Sequence, residues 1–104
     1  MGGNINMEIR MNRSEDKLTV EVIGRLDTLT SRELETKLEP ELEGIKELIL
    51  DLKELQYISS AGLRVLLGAA KAMEGRGEMT VRNPNEDVMD VFILTGFDDV
   101  FNIE

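Results

Sequence analysis

The chain has 104 residues, 41% hydrophobic and 32% charged, which is one domain's worth and enough to bury a core without disulfides or bound metals. Cys and His are both absent, excluding a disulfide framework, a Cys/His zinc site, a thiol nucleophile and a Ser-His-Asp triad. The net charge of −9 comes from 21 acids and 12 bases, and six of those acids with no base fall in residues 83–104. Such a balance opposes binding to nucleic acid or an anionic membrane, where Lys and Arg must displace counterions, and permits steering toward a basic partner protein.

Met7, Ile9 and Met11 alternate with Glu8, Arg10 and Asn12, the period-2 pattern of a half-buried strand. Residues 1–6 are expected to form a flexible N-terminal tail. After a turn at Ser14-Glu15-Asp16-Lys17, Leu18, Val20 and Val22 predict a second strand that hairpins with the first and closes at Gly24. Thr30 and Glu33 have capping-box spacing, and Leu29 and Leu34 stand where a hydrophobic staple would. Leu34, Leu38 and Leu42 continue one apolar helical stripe, which Pro40 bends or ends, with Gly44 beyond.

Leu48-Ile49-Leu50-Asp51-Leu52 predicts a strand covered on both faces. A second helix is expected over about 61–74, with Leu63, Leu66, Leu67, Ala70 and Met73 on one side and Gly75 at its end. Glu78 to Arg82 reads as a short strand. Pro84 opens a third helix bearing Val88, Val91, Phe92 and Thr95, closed by Gly96. Phe97, Val100, Phe101 and Ile103 form an apolar tail that folds back onto the sheet. The expected order is β-β-α-β-α-β-α in a single α/β domain over residues 1–104. Its sheet is mixed: an N-terminal hairpin, then alternating helices and strands, with the helices packed on the sheet.

No apolar run reaches the roughly 18–20 residues of a membrane span, and the N-terminus lacks the pattern of a signal peptide. Met1-Gly2 begins like a myristoylation site, but Asn6 stands where Ser or Thr is required. A cytoplasmic location without direct membrane insertion is expected. The acids Asp87, Asp90, Asp98 and Asp99 lack the spacing of a calcium loop, and Gly75-Arg76-Gly77 reads as a helix-to-strand turn rather than a phosphate nest. No metal site and no cofactor are expected.

The informative stretch runs from Asp51 to Arg64. A buried strand ends, the chain turns, and Ser59 and Ser60 arrive at the start of a helix. Ser60 is placed to act as N-cap, and that role alone would account for a serine here. A helix N-terminus also tolerates a phosphoryl group, which would add roughly −1.5 to −2 charges on a surface loop.

Tyr57-Ile58-Ser59-Ser60-Ala61-Gly62-Leu63-Arg64 resembles the signature of the STAS family, specifically the bacterial anti-sigma-factor antagonists. Gly24-Arg25-Leu26-Asp27, Val81-Arg82-Asn83-Pro84 and Gly96-Phe97-Asp98-Asp99-Val100-Phe101-Asn102-Ile103 resemble further segments of that family, in the right order along nearly the whole chain. The resemblance implies a STAS-like fold and partner switching. The unphosphorylated protein would bind an anti-sigma factor that is itself a serine kinase, freeing a sigma factor; phosphorylation would end the complex and a phosphoserine phosphatase would reset it.

The resemblance places the phosphoacceptor at Ser60, with Ser59 as the alternative, because Ser59 stands where many members carry Asp. It implies a partner surface of Asp27, Ser59, Ser60, Ala61, Gly62, Leu63 and Arg64, although Asp27 is equally readable as a turn or helix-start residue. A second reading keeps the fold and makes the chain a stand-alone STAS subunit of a membrane transporter or stress-signalling assembly. An enzyme is not expected: the chain has no P-loop, dinucleotide fingerprint, His or Cys.

Overall fold

The first two strands form the expected hairpin. β1 (Met7–Ser14) and β2 (Lys17–Leu26) pair antiparallel from Ser14 opposite Lys17 to Met7 opposite Gly24. The structure, a computed structural model, describes residues 7–104, so the predicted N-terminal tail and Met1-Gly2 lie outside the described residues. Gly24 does not close β2. Its positive φ of 103° absorbs a bulge, and the strand runs on to Leu26.

The first helix nonetheless starts one turn earlier than a cap at Thr30 predicts. α1 spans Thr28–Leu38 with Asp27 as its N-cap, so Thr30 sits at the third helical position and partners Asp27 rather than Glu33. The staple is not made either: Leu29 points outward, 76% exposed, while Leu34 and Leu38 are buried. Pro40 behaves as expected, because α1 gives way at Glu39 to a 3₁₀ turn (Glu39–Leu42) that buries Leu42.

β3 (Glu47–Asp51) lies parallel to β2, and β5 (Glu78–Arg82) lies parallel to β3. Leu18, Val20 and Val22 of β2, with Leu48 and Leu50 of β3 and Val81 of β5, make the buried sheet face under the helices. Ile49 points the other way, in register between Thr19 and Thr80, and is buried too, as a strand covered on both faces requires.

Two further strands join that the sequence pattern left unread. β4 (Leu55–Ile58) pairs in parallel with the far end of β2, and β6 (Asn102–Ile103) pairs in parallel with β5. The sheet order is β1-β2-β3-β5-β6, with β4 beside β2. β6 is the returning apolar tail. It is held by Phe101, whose ring meets Phe92 and Phe97 edge-on at 5.5 and 5.4 Å.

α2 (Ser60–Met73) buries Leu63, Leu66, Ala69 and Met73, leaving Leu67 and Ala70 half-buried. Its exit uses Gly75 at φ +78°, and the Arg76 and Gly77 amides both donate to the Met73 carbonyl at 3.0 Å. Those amides are spent on ending a helix. α3 spans Glu86–Thr95 and closes on Gly96 at φ +79°. It is capped by Asn85, which accepts from the Val88 amide at 2.8 Å and donates to the Leu55 carbonyl at 2.9 Å. Pro84 therefore precedes the helix by two residues instead of opening it.

Candidate functional site

The starts of α1 and α2 lie side by side because β2 and β4 end side by side. Leu26 pairs with Ile58, and the Ser59 amide donates to the Leu26 carbonyl at 2.8 Å. Each strand then hands its chain to a helix cap, Asp27 on one side and Ser59 on the other.

Asp27 is bound tightly into its cap. Its Oδ1 accepts from the Leu29 amide at 3.0 Å and the Thr30 amide at 2.9 Å. The Asp27 amide donates to Thr30 Oγ1 at 2.8 Å, and that hydroxyl donates to the Arg25 carbonyl at 2.7 Å. The Thr30 amide and then its hydroxyl, with a smaller contribution from the Arg25 charge, hold the Asp27 carboxyl below the usual carboxylate range. A lowered folded value gives stability that is complete above the ordinary pKa of about 4 and is lost as pH falls through the folded value. Asp27→Asn keeps the cap oxygen without the titration. In urea unfolding at pH 7 and pH 3, wild type should therefore lose more stability on acidification than Asp27→Asn. Equal losses would show that the cap does not favour the ionised form.

At α2 the N-cap is Ser59, not Ser60. Ser59 Oγ accepts from the Gly62 amide at 3.2 Å, and its carbonyl accepts from the Leu63 amide at 3.0 Å. Ser60 is the first residue inside the helix. Its side chain is exposed, and its hydroxyl has no hydrogen-bond partner among the described residues. The Ser60 and Ala61 amides likewise belong to the unpaired first turn that every helix leaves. The two serines are thus unequal: one hydroxyl holds the helix, the other is free.

The remaining residues of the predicted partner surface divide by burial. Arg64 is exposed, one helical turn beyond Ser60, and Ala61 is half-buried. Gly62 and Leu63 are buried, so they seat the loop without presenting side chains to a partner. A Cβ on Gly62 would lie 2.8 Å from Ile58 Cγ1, 3.0 Å from Leu26 Cβ and 3.3 Å from Ser31 Oγ.

Sequence reasoning gave no role of their own to three neighbours. Arg25 and Tyr57 stand opposite each other on β2 and β4, with the Arg25 guanidinium 4.3 Å from the Tyr57 ring centroid. Their signal is positional, since each lies two residues before a helix cap. Ser31 is the third. It is only 2% exposed, and its Oγ is the single buried side-chain polar atom without a partner among the described residues. An unpaired buried hydroxyl costs about 1–3 kcal/mol. Ser31→Ala should therefore raise stability by about 1 kcal/mol in urea unfolding, and a destabilised alanine variant would mean that the hydroxyl has a partner in solution.

Among the described residues no group of three or more His, Cys, Asp or Glu side chains could hold a metal ion, and no helix is long and apolar enough to cross a membrane. What the site offers is an exposed hydroxyl on a helix start beside a second helix start whose cap is a fixed carboxylate, with exposed arginines at positions 25 and 64.

Comparison with known proteins places the chain in a family. The anti-sigma-B factor antagonist of Bacillus subtilis is 31% identical over 101 residues, covering 96% of this chain and 91% of that protein. The anti-sigma factor antagonist SpoIIAA in its unphosphorylated form superposes with a TM-score of 0.81 at 18% identity, over 93% of this chain and 88% of that one. The Bacillus cell fate determinant SpoIIAA in the phosphorylated form gives a TM-score of 0.73 at 17% identity, over 93% of this chain and 91% of that one. The STAS domain profile matches residues 8–104. The chain belongs to the STAS domain family, as its signature octapeptide and mixed sheet lead one to expect.

Proposed function

We propose that this protein is an anti-sigma factor antagonist: unphosphorylated, it docks the start of α2 on an anti-sigma factor and so frees a sigma factor, and phosphorylation of Ser60 ends the contact. The observation that carries the choice of residue is the inequality of the two serines. Ser59 Oγ is engaged with the Gly62 amide, while Ser60 Oγ is exposed and unbonded. The relative named an anti-sigma-B factor antagonist supports the class of partner. In this reading the anti-sigma factor is also a serine kinase. The γ-phosphoryl of ATP passes to Ser60 Oγ, ADP departs, and the hydroxyl proton goes to a base of the kinase. A phosphoserine phosphatase hydrolyses the ester and restores the binding form.

The added group does not unfold the domain. A phosphoryl at the first helical position meets unpaired amides and the positive end of the helix dipole, where negative charge is favourable. It acts on the docking face, adding bulk and roughly −1.5 to −2 charges. The experiment is capture from host lysate on wild type, Ser60→Ala and Ser60→Asp, with identification of retained proteins. Wild type and Ser60→Ala should hold an anti-sigma factor kinase, and Ser60→Asp should lose it by at least about tenfold, or about 1.4 kcal/mol. Because Ser59 holds the cap, Ser60→Ala should stay within about 0.5 kcal/mol of wild type in stability. A partner indifferent to Ser60, such as a transporter subunit, would overturn the reading; phosphate found on Ser59 after incubation with the kinase and ATP would overturn the residue.

A further inference from the structure

Around Ser60 the charges differ from those of the chain as a whole. The protein carries −9, yet the two elements that meet at this hydroxyl each bring an exposed arginine, Arg25 at the end of β2 and Arg64 in α2. Arg64 is four residues along α2 and, like Ser60, exposed, so the two side chains share one helix face at the spacing where side-chain pairs meet. Arg25 comes from the neighbouring strand. Its residue precedes Leu26, whose carbonyl receives the Ser59 amide.

Neither arginine makes an ion pair among the described residues. Arg25 rests on the Tyr57 ring, an interaction worth only about 0.5–1 kcal/mol at an exposed site. The nearby carboxylates do not hold it more firmly. Asp27 Oδ1 is taken by two amides, and Asp87 of α3 lines, with Gln56, Tyr57, Ile58, Val88 and Val91, a groove to which Arg25 does not contribute. A phosphoryl dianion is a far better partner for a guanidinium than a ring face, since its oxygens accept the two parallel N–H donors of the fork.

We propose that Arg25 and Arg64 form an intramolecular clamp on phosphorylated Ser60, with Arg25 leaving Tyr57 to reach it. This rests on Ser60 as the modified residue. The clamp changes the meaning of the modification. Phosphorylation removes two cations from the docking face at the same time as it adds an anion, and it uncovers the Tyr57 ring. A partner that reads the unmodified face with carboxylates loses both of its contacts in one event.

The test installs phosphoserine at position 60 of the full chain by genetic code expansion, so it needs no kinase and stands or falls apart from the anti-sigma reading. Phosphorus NMR titration then reads the second ionisation of the phosphoserine, ordinarily near pH 6. Each cation favours the dianion, so Arg25→Gln and Arg64→Gln should each raise the midpoint by about 0.3 unit or more, and the double variant further. Tyr57 is the only Tyr and Trp is absent, so intrinsic fluorescence reports this ring alone. Its emission in the phosphorylated wild type should match that of unphosphorylated Arg25→Gln. Midpoints that do not move in either variant would overturn the clamp. So would Tyr57 emission unchanged by phosphorylation, or arginine variants that weaken partner binding without moving the midpoint, which would make these residues contacts of the partner only.

Discussion

Replacing Gly77 with alanine will destabilise the domain by about 3 kcal/mol or more, the upper end of what overpacking a tight site costs. A Cβ at this position would fall 1.9 Å from the Lys46 carbonyl oxygen and 2.5 Å from its carbon. Both are backbone atoms, so no rotamer can yield. That carbonyl is also the acceptor for the Glu78 amide at 3.0 Å, the bond that begins the β3–β5 ladder. Making room means breaking the start of the central parallel pair.

Two other glycines serve as internal controls for that reasoning. Gly75 has no atom within 4 Å of a built Cβ but sits at φ +78°, so alanine there should cost about 1–2 kcal/mol through backbone strain alone. Gly68, inside α2, has open space and ordinary helical geometry, so alanine should stabilise by about 0.5–1 kcal/mol. Thermal unfolding of the three variants reads the order directly, with Gly77→Ala melting about 12 °C or more below wild type. If Gly77→Ala and Gly75→Ala fall equally, close approach is not what fixes residue 77.

The parts of this fold that sequence reveals are those whose burial is periodic or continuous. The alternation in β1 and β2, the run of β3, and the stripes of α1 and α2 all point at one core, and the buried residues confirm them. β4 escapes for the opposite reason. It has four residues, of which Leu55 and Ile58 are buried and Gln56 and Tyr57 exposed, a pattern with no period of two. Its ladder with β2 is itself offset by the bulge at Gly24.

The shifted caps have a related cause. Thr30-Glu33 carries the usual residues of a capping box, whereas Asp27-Thr30 shares only its three-residue spacing and a favoured N-cap residue, so the local sequence points to the wrong cap. The choice is made by where β2 ends, which depends on a bulge closed by pairing with β4. At α2, Ser59 and Ser60 are adjacent candidates for one cap. The hydrogen bond from β4 to β2, Ser59 amide to Leu26 carbonyl, fixes Ser59 at the boundary and leaves Ser60 inside the helix. The residues of the site were thus legible as a group, while their division into structural and exposed members depended on a neighbouring strand.

Gly62→Ala should separate the geometry of the site from its chemistry, since it replaces neither serine and keeps the amide that Ser59 caps. The added methyl would press on Ile58 Cγ1 at 2.8 Å and on Leu26 Cβ at 3.0 Å. Leu26 Cβ cannot move without its backbone, and that backbone carries the carbonyl that Ser59 uses. The first turn of α2 must therefore lift from the ends of β2 and β4, at a cost of about 1–3 kcal/mol. The lift carries the Ser59 cap and the Ser60 hydroxyl with it, so affinity for the anti-sigma factor should fall by at least about tenfold while circular dichroism stays native. Removing the obstructing atom tests the cause. In an Ile58→Ala background the further penalty of Gly62→Ala should shrink, a coupling that double-mutant analysis measures for residues in contact. Additive penalties, or full affinity in a folded Gly62→Ala protein, would mean that the seat of this turn does not set the docking face.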